Sequence, residues 1–230
     1  MGKYAVIGLG TFGMAIARKL SERGAEVMAI DNDVNHIQTI KDDVAYAVTL
    51  DSTDMKALET QGIQNLDAVV VAIGENFEAL LLTVVYLKEL NVPRIIARAS
   101  GEQQRMILEK LGVKEILSPE DEVGTVVAES LLNPNILSSL QLPDDYEIVE
   151  MKPPTKIINK SLEIVGMRDK YKLTVITIKR EFEEVVNGET RREKHVLGVP
   201  SSDTQIEASD TIMVFGQVKD IEKFCDINRA

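Results

Sequence analysis

The sequence has few of the residues that stabilise secreted proteins or cross membranes. Its single cysteine, Cys225, excludes an internal disulfide and favours a reducing compartment. The longest strongly apolar run, residues 79–87, is too short to span a bilayer. An apolar strand pattern begins almost at the first residue, so no signal peptide is predicted. We therefore expect a cytoplasmic protein.

Basic charge is also scarce. The chain has 26 Lys and Arg against 37 Asp and Glu, which gives a net charge of −11. Nucleic acids and polybasic membrane anchors both require a positive surface, so neither kind of binding is expected. We expect any association with a membrane to depend on a protein partner.

Groups that commonly carry catalysis are missing as well. There are two histidines, His36 in a predicted surface helix and His195 in or beyond a predicted hairpin, and neither is placed as a general acid or base. No tyrosine has a lysine four residues later, and no Walker-type phosphate loop or Cys/His zinc cluster is present. These absences favour a binding protein over an enzyme.

The pattern of apolar residues predicts two domains. Residues 1–117 alternate between strand and helix patterns, which indicates an α/β, Rossmann-like, doubly wound parallel sheet. Residues 118–140, opened by Ser118 and Pro119, are predicted as a connecting or dimerisation helix, although packing on its own sheet is an equal alternative. Residues 141–230 are predicted as a small α+β domain, with Asn-Gly at 187–188 as a hairpin turn.

A glycine-rich turn follows the first predicted strand. Gly8 would permit a tight turn, Gly10 a close approach to phosphate, and Gly13 close packing of the next helix. The turn also contains Thr11 and Phe12, and the amino terminus of the helix would present free N–H groups. This predicts an adenine nucleotide site, with a purely structural turn as the alternative.

Further candidate ligands follow the later strands of the same sheet, at the edge where Rossmann-like folds bind ligands. Asp31 is predicted to accept from ribose hydroxyls, and the acidic run around Asn32 disfavours NADP. Arg98 is predicted to meet a phosphate, or else to form a surface ion pair. The other candidates are predicted adenine or backbone contacts: Asp51, Ser52, Ala72, Ile73, Gly74 and Asn76.

The order of these motifs resembles the TrkA/KtrA family, the cytosolic RCK (KTN) regulatory subunits of potassium channels and transporters. The N-terminal resemblance covers Val6–Gly13, Ala29–Asp31, Val70–Gly74 and Ser118–Asp121. The C-terminal resemblance covers Leu162, Arg168, Tyr171, Pro200 and the run Asp210–Gly216. It implies an N-terminal nucleotide-binding domain followed by a C-terminal regulatory domain.

The resemblance also implies a function. It indicates a nucleotide-sensing gating subunit that binds NAD(H) or ATP/ADP/AMP at positions including Gly8, Gly10, Gly13, Asp31 and Asp51. Such subunits form homo-oligomers, as dimers joined into an octameric ring beneath an integral-membrane potassium transporter subunit. They are peripheral to the membrane through that partner, and the nucleotide acts by changing conformation.

Four details complete the expectation from the family. Glu120 matches a position associated with a divalent cation between subunits, and Arg168 lies near a site that binds cyclic di-AMP in some members. Thr11 stands where KtrA-like members often carry an arginine that reaches ATP, which leaves NAD(H), ADP or AMP more open. The charged hairpin Glu181–Val196 is longer than expected.

Two alternatives remain at this point. A small NAD-dependent oxidoreductase would use the same glycine turn, but it would need a proton donor over the nicotinamide position. A nucleotide-binding signalling module without a membrane partner would differ from the gating subunit only in what it contacts.

Overall fold

The computed structural model describes residues 2–186 and 189–228. The chain divides into two units, unit 1 ending at Glu122 and unit 2 beginning at Val123. This division lies inside the segment 118–140 that the sequence predicts as a connection. None of the helices in the described part of the chain has the length and apolarity that a membrane span needs.

Unit 1 is built on a six-stranded parallel sheet with the order β3-β2-β1-β4-β5-β6. This order confirms the predicted Rossmann-like, doubly wound fold. The strands are β1 (Lys3–Ile7), β2 (Glu26–Asp31), β3 (Tyr46–Thr49), β4 (Ala68–Val71), β5 (Ile95–Arg98) and β6 (Glu115–Leu117).

Helices connect these strands. They are α1 (Thr11–Glu22), α2 (Val34–Ile40), α3 (Met55–Thr60), α4 (Phe77–Glu89) and α5 (Glu102–Lys110), and α6 (Pro119–Leu132) continues into unit 2. Side chains of Asp33, Asp54 and Asn76 cap α2, α3 and α4 by accepting hydrogen bonds from backbone N–H groups. The amino terminus of α1, at Gly10, has no such cap.

The core of unit 1 lies on both faces of the sheet. Alternate residues of a strand point to opposite faces, and here Ile7 and Val69 join one buried cluster while Val6 and Val70 join another. β4 is buried along its whole length. Continuous apolar sequence in the central strands therefore reflects helices packed on both sides of them.

Unit 2 contains a five-stranded antiparallel sheet with the order β10-β9-β11-β8-β7. Its strands are β7 (Ile136–Leu142), β8 (Tyr146–Met151), β9 (Thr174–Val186), β10 (Glu189–Val196) and β11 (Thr211–Gln217). Its helices after α6 are α7 (Leu162–Val165), α8 (Met167–Tyr171) and α9 (Val218–Asn228).

This sheet confirms the α+β class, and it contains one strand that the sequence did not predict. The unexpected strand is β7, an edge strand with largely exposed side chains, so its sequence lacks the alternation that marks a half-buried strand. β9 and β10 pair in register from Lys179–Val196 to Val186–Glu189, as the predicted hairpin requires. The predicted turn itself, at 187–188, lies outside the described residues.

A buried ion pair links β9 to the segment before β11. The side chain of Asp210 is fully buried and accepts two hydrogen bonds of 2.8 Å, from Nε and Nη2 of Arg180. It also accepts from the backbone N–H of Glu207 at 2.8 Å. The hydrogen bond to Asp210 raises the pKa of Arg180, so the guanidinium keeps its positive charge.

Replacing Asp210 by Ala is expected to lower the free energy of unfolding of unit 2 by about 2 to 3 kcal/mol, because Arg180 and the N–H of Glu207 lose a buried acceptor. Hydrogen exchange of β9 and β11 amides in the full chain measures this loss. The exposed Asp203→Ala is the control and is expected to change the value by less than about 0.5 kcal/mol. Equal effects of the two substitutions would contradict the assigned role of Asp210.

Candidate functional site

The predicted site residues of unit 1 gather at one edge of its sheet. Parallel strands end together, and the turns after β1, β2, β3, β4 and β5 all leave from this carboxyl edge. The edge includes the point between β1 and β4 where the strand order reverses. Such a crevice is where open α/β sheets bind their ligands.

Two glycines of the first turn are required by the fold itself. Gly8 has a φ of +89°, and a Cβ there would lie 2.9 Å from the backbone nitrogen of Ile73. A Cβ on the buried Gly13 would overlap the carbonyl oxygen of Gly8. The turn can therefore bring α1 close to β1 and β4 only if both residues are glycine.

Gly10 is different from the other two. Its backbone (φ −61°, ψ −177°) suits any residue, and a Cβ there would meet no atom within 4 Å. Gly10 is exposed at the uncapped amino terminus of the 12-residue helix α1, with Thr11 and Phe12 in the first turn. No contact within the described chain explains a glycine here, whereas a phosphate resting on the helix N–H groups would.

Asp31 links the turn after β2 to the glycine turn. Its Oδ2 accepts a hydrogen bond from the backbone N–H of Leu9 at 2.5 Å, and its Oδ1 accepts from that of Asp33 at 2.8 Å. Its side chain is 10% exposed. These two hydrogen bonds orient the carboxylate. Each of its oxygens can accept a second hydrogen bond, so ribose hydroxyls could still donate to it.

The structure also places His36 at this carboxylate, which sequence reasoning did not include in the site. Its Nδ1 is buried and lies 3.2 Å from Oδ2 of Asp31, outside hydrogen-bond geometry in the described chain. The signal was available, because His36 lies in the first turn of α2, five residues after Asp31. Asn32, the residue after Asp31, is exposed.

The turn after β3 contains one exposed and one buried candidate. Oδ1 of Asp51 accepts from the hydroxyl of Thr53 at 2.7 Å and from its N–H at 2.9 Å, and these bonds lower the pKa of Asp51. Ser52 is buried, and its Oγ lies 2.7 Å from Oγ1 of Thr83 on α4. Contact of Ser52 with adenine stays a prediction, and the structure directs its hydroxyl toward α4.

The turn after β4 is shaped by backbone packing. Ala72 is buried and its N–H bonds the carbonyl of Ile7, while Ile73 packs against the core. The side chain of Asn76 accepts from the N–H of Ala79 at 3.0 Å and so caps α4. Gly74 leaves room for Arg98, since a Cβ there would lie 3.1 Å from its Cζ.

Arg98 joins this turn to the glycine turn and to α6. Its Cζ lies 5.8 Å from the centroid of the Phe12 ring, and its Nη2 pairs with Oε1 of Glu120. Its Nε is buried and has no hydrogen-bond partner among the residues that the structure describes. The fold therefore brings together residues distant in sequence: Phe12, Gly74, Arg98 and Glu120.

The residues of this chain do not by themselves fit a divalent cation. The carboxylate of Glu120 faces a guanidinium, and no group of three or more His, Cys, Asp or Glu residues in the described ranges could hold a metal ion. Arg168, the predicted second-ligand residue, is exposed on α8 of unit 2.

Comparisons with known proteins identify the family of the chain and agree with its fold. A family model described as the TrkA-N domain matches residues 4–119. The Ktr system potassium uptake proteins C and A of Bacillus subtilis (strain 168) are 35% and 33% identical over 222 residues, covering 96% of this chain and 95% of each relative. The structure titled "GsuK channel bound to NAD" has a similar fold, with a TM-score of 0.54 and 18% identity over 99% of this chain and 38% of that one.

Substitution by alanine is expected to separate the roles of two glycines. Gly13→Ala should lower the melting temperature by several degrees or prevent folding, because its Cβ overlaps a backbone oxygen. Gly10→Ala should change the free energy of unfolding by less than about 1 kcal/mol, since space is open there. Thermal unfolding of the ligand-free variants tests this, and equal losses would contradict it.

Proposed function

The chain belongs to the TrkA/KtrA family of potassium uptake proteins, and from that premise we propose that it is a cytosolic, nucleotide-sensing regulatory subunit of a potassium uptake system. It would gate a separate membrane pore protein by a ligand-dependent change of conformation. The observation that carries this proposal is the carboxyl edge of unit 1, where the open space at Gly10 adjoins the oriented carboxylate of Asp31.

Each part of an adenine nucleotide has a counterpart at this edge. The N–H groups of Thr11, Phe12 and Gly13 would hold the phosphates, and Gly10 would let them approach the backbone closely. Asp31 would accept from the ribose hydroxyls. The turn at Asp51 would face the adenine.

The residue at position 11 favours particular nucleotides. Thr11 is exposed as the first residue of α1 and carries no charge for a terminal phosphate. NAD(H), ADP or AMP are therefore proposed ahead of ATP. The fold neighbour whose title names bound NAD supports the inclusion of NAD.

Regulation would follow from unequal affinity. A nucleotide shifts an equilibrium between two conformations only if it binds one of them more tightly, and the shift is limited by that difference. The bound nucleotide supplies this binding free energy. The chain supplies the candidate site at the carboxyl edge of unit 1 and the helix α6 that continues from there into unit 2.

The proposed subunit acts as a homo-oligomer beneath its membrane partner. Helix α6 exposes apolar side chains in the described chain, which supports a dimerisation role for it; they are Val123, Val126, Val127, Leu131 and Leu132. From the family resemblance we propose dimers within an octameric ring, held at the cytoplasmic face by an integral-membrane potassium transporter subunit. The names of the relatives support the link to potassium uptake alone.

Two further ligands are proposed from the family resemblance alone. A divalent cation at Glu120 would need further ligands from a second subunit, because the described residues contain no group of three or more His, Cys, Asp or Glu that could hold it. Cyclic di-AMP would bind near Arg168 in unit 2.

Binding without catalysis is part of the proposal. The curated relatives are named for potassium uptake, which favours a regulatory role over a small NAD-dependent oxidoreductase. The domain assignment that accompanies it is a nucleotide-binding domain at 1–117, a connection at 118–140 and a regulatory domain at 141–230.

Calorimetry of the full chain with NAD, NADH, ADP, AMP and ATP tests the proposal. Asp31→Asn should weaken nucleotide binding about ten- to a hundredfold, because hydrogen bonds from ribose to a charged acceptor are lost. Asp43→Asn is the control. It removes the same charge from an exposed side chain that pairs with Arg18, and it should leave binding unchanged.

Two results would refute the proposal. One is the absence of adenine nucleotide binding below millimolar concentration in the wild-type chain. The other is unchanged affinity in Asp31→Asn, provided that its melting temperature shows that the variant is folded.

A further inference from the structure

The ion pair between Arg98 and Glu120 joins the candidate site to α6. Arg98 ends β5 at the carboxyl edge of the sheet, and Glu120 lies in the first turn of α6. Nη2 of Arg98 donates to Oε1 of Glu120. The Arg98 side chain is 20% exposed and that of Glu120 is 57% exposed, so the arginine is held while the acid is free to turn into solvent.

The guanidinium of Arg98 is confined beside the amino terminus of α1. On one side lies Gly74, where even a Cβ would crowd its Cζ. On another lies the ring of Phe12, the second residue of α1. The buried Nε has no partner in the described part of the chain, so the group retains a donor that Glu120 does not use.

We propose that Glu120 competes with the phosphate of a bound nucleotide for Arg98 and thereby sets the affinity of the site for anionic ligands. This inference rests on the proposed function, because it requires a nucleotide at the carboxyl edge. A guanidinium binds carboxylate and phosphate through the same fork of donors. A nucleotide phosphate that binds Nη2 of Arg98 must displace Glu120 from that donor, whereas adenosine leaves the pair intact.

Displacement of Glu120 would change the first turn of α6, the helix that continues from unit 1 into unit 2. The division between the units follows Glu122, within the same helix, α6. A single ion pair thus connects the phosphate end of the site to the element that continues into unit 2. The pair makes Glu120 a specificity-determining residue, because breaking its contact with Arg98 lowers the affinity of the site for each ligand whose phosphate binds there.

The chain contains a matched control for this pair. Arg94 and Glu115 flank the opposite, amino-terminal ends of the same strands, β5 and β6. Nε and Nη2 of Arg94 bond the two carboxylate oxygens of Glu115 at 2.7 and 2.6 Å. The chemistry is the same, but the pair lies at the edge of the sheet away from the candidate site.

Calorimetry of the full chain in EDTA, with ADP and with adenosine, tests the competition. Glu120→Gln should raise the affinity for ADP about three- to tenfold, as expected when a partly exposed ion pair no longer has to open. Its affinity for adenosine should stay within about twofold of the wild type. Glu115→Gln should change neither affinity.

A second background separates competition from a general effect of charge. Arg98→Met should bind ADP more weakly than the wild type, and Glu120→Gln added to it should give no gain, because the two residues act as a coupled pair. Unchanged or lower ADP affinity in Glu120→Gln would overturn the inference. So would a gain that persists without Arg98, or an equal gain in Glu115→Gln.

The two proposals fail in different ways. Binding of ADP by the wild-type chain with no change in Glu120→Gln removes the competition and leaves the proposed function standing. Failure of both the wild-type chain and Glu120→Gln to bind ADP, AMP or NAD removes both. Binding by Glu120→Gln alone supports the competition.

Discussion

The geometry of the site depends on the hydrogen bonds that the carboxylate of Asp31 accepts. Its two oxygens hold the N–H of Leu9 after β1 and the N–H of Asp33 after β2, so one side chain fixes two neighbouring turns. The parallel sheet brings those turns to the same edge. The glycine contact between Gly8 and Gly13 then sets how closely α1 can lie. The amino terminus of α1 has no side-chain cap because its N-cap residue, Gly10, has no side chain.

The ion pairs at the two edges of the sheet differ in their surroundings. At the amino-terminal edge, Arg94 and Glu115 satisfy each other in solvent, and such exposed pairs contribute little to stability. At the carboxyl edge, Arg98 is confined by Gly74 and Phe12 and holds Glu120 on the first turn of α6. Confinement beside the candidate nucleotide site makes the second pair a candidate for control of binding.

Sequence alone predicted the Rossmann-like sheet of unit 1, because buried parallel strands and capped helices leave strong local patterns. It failed for β7, whose exposed edge position leaves no alternation, and it did not associate His36 with Asp31. It also did not foresee that Ser52 would turn toward Thr83, or that Glu120 would pair with Arg98. The Ser52–Thr83 and Arg98–Glu120 contacts join distant parts of the chain, and no local pattern encodes them.

We propose that a nucleotide binds at the carboxyl edge of unit 1 and is sensed at the start of α6. Hydrogen exchange of the full chain with and without ADP or NAD tests this most directly. We expect slower exchange at the amides of residues 9–13 and 31–33, together with altered exchange in the first turn of α6. Protection confined to unit 2, or no change at the glycine turn in the presence of saturating nucleotide, would contradict it.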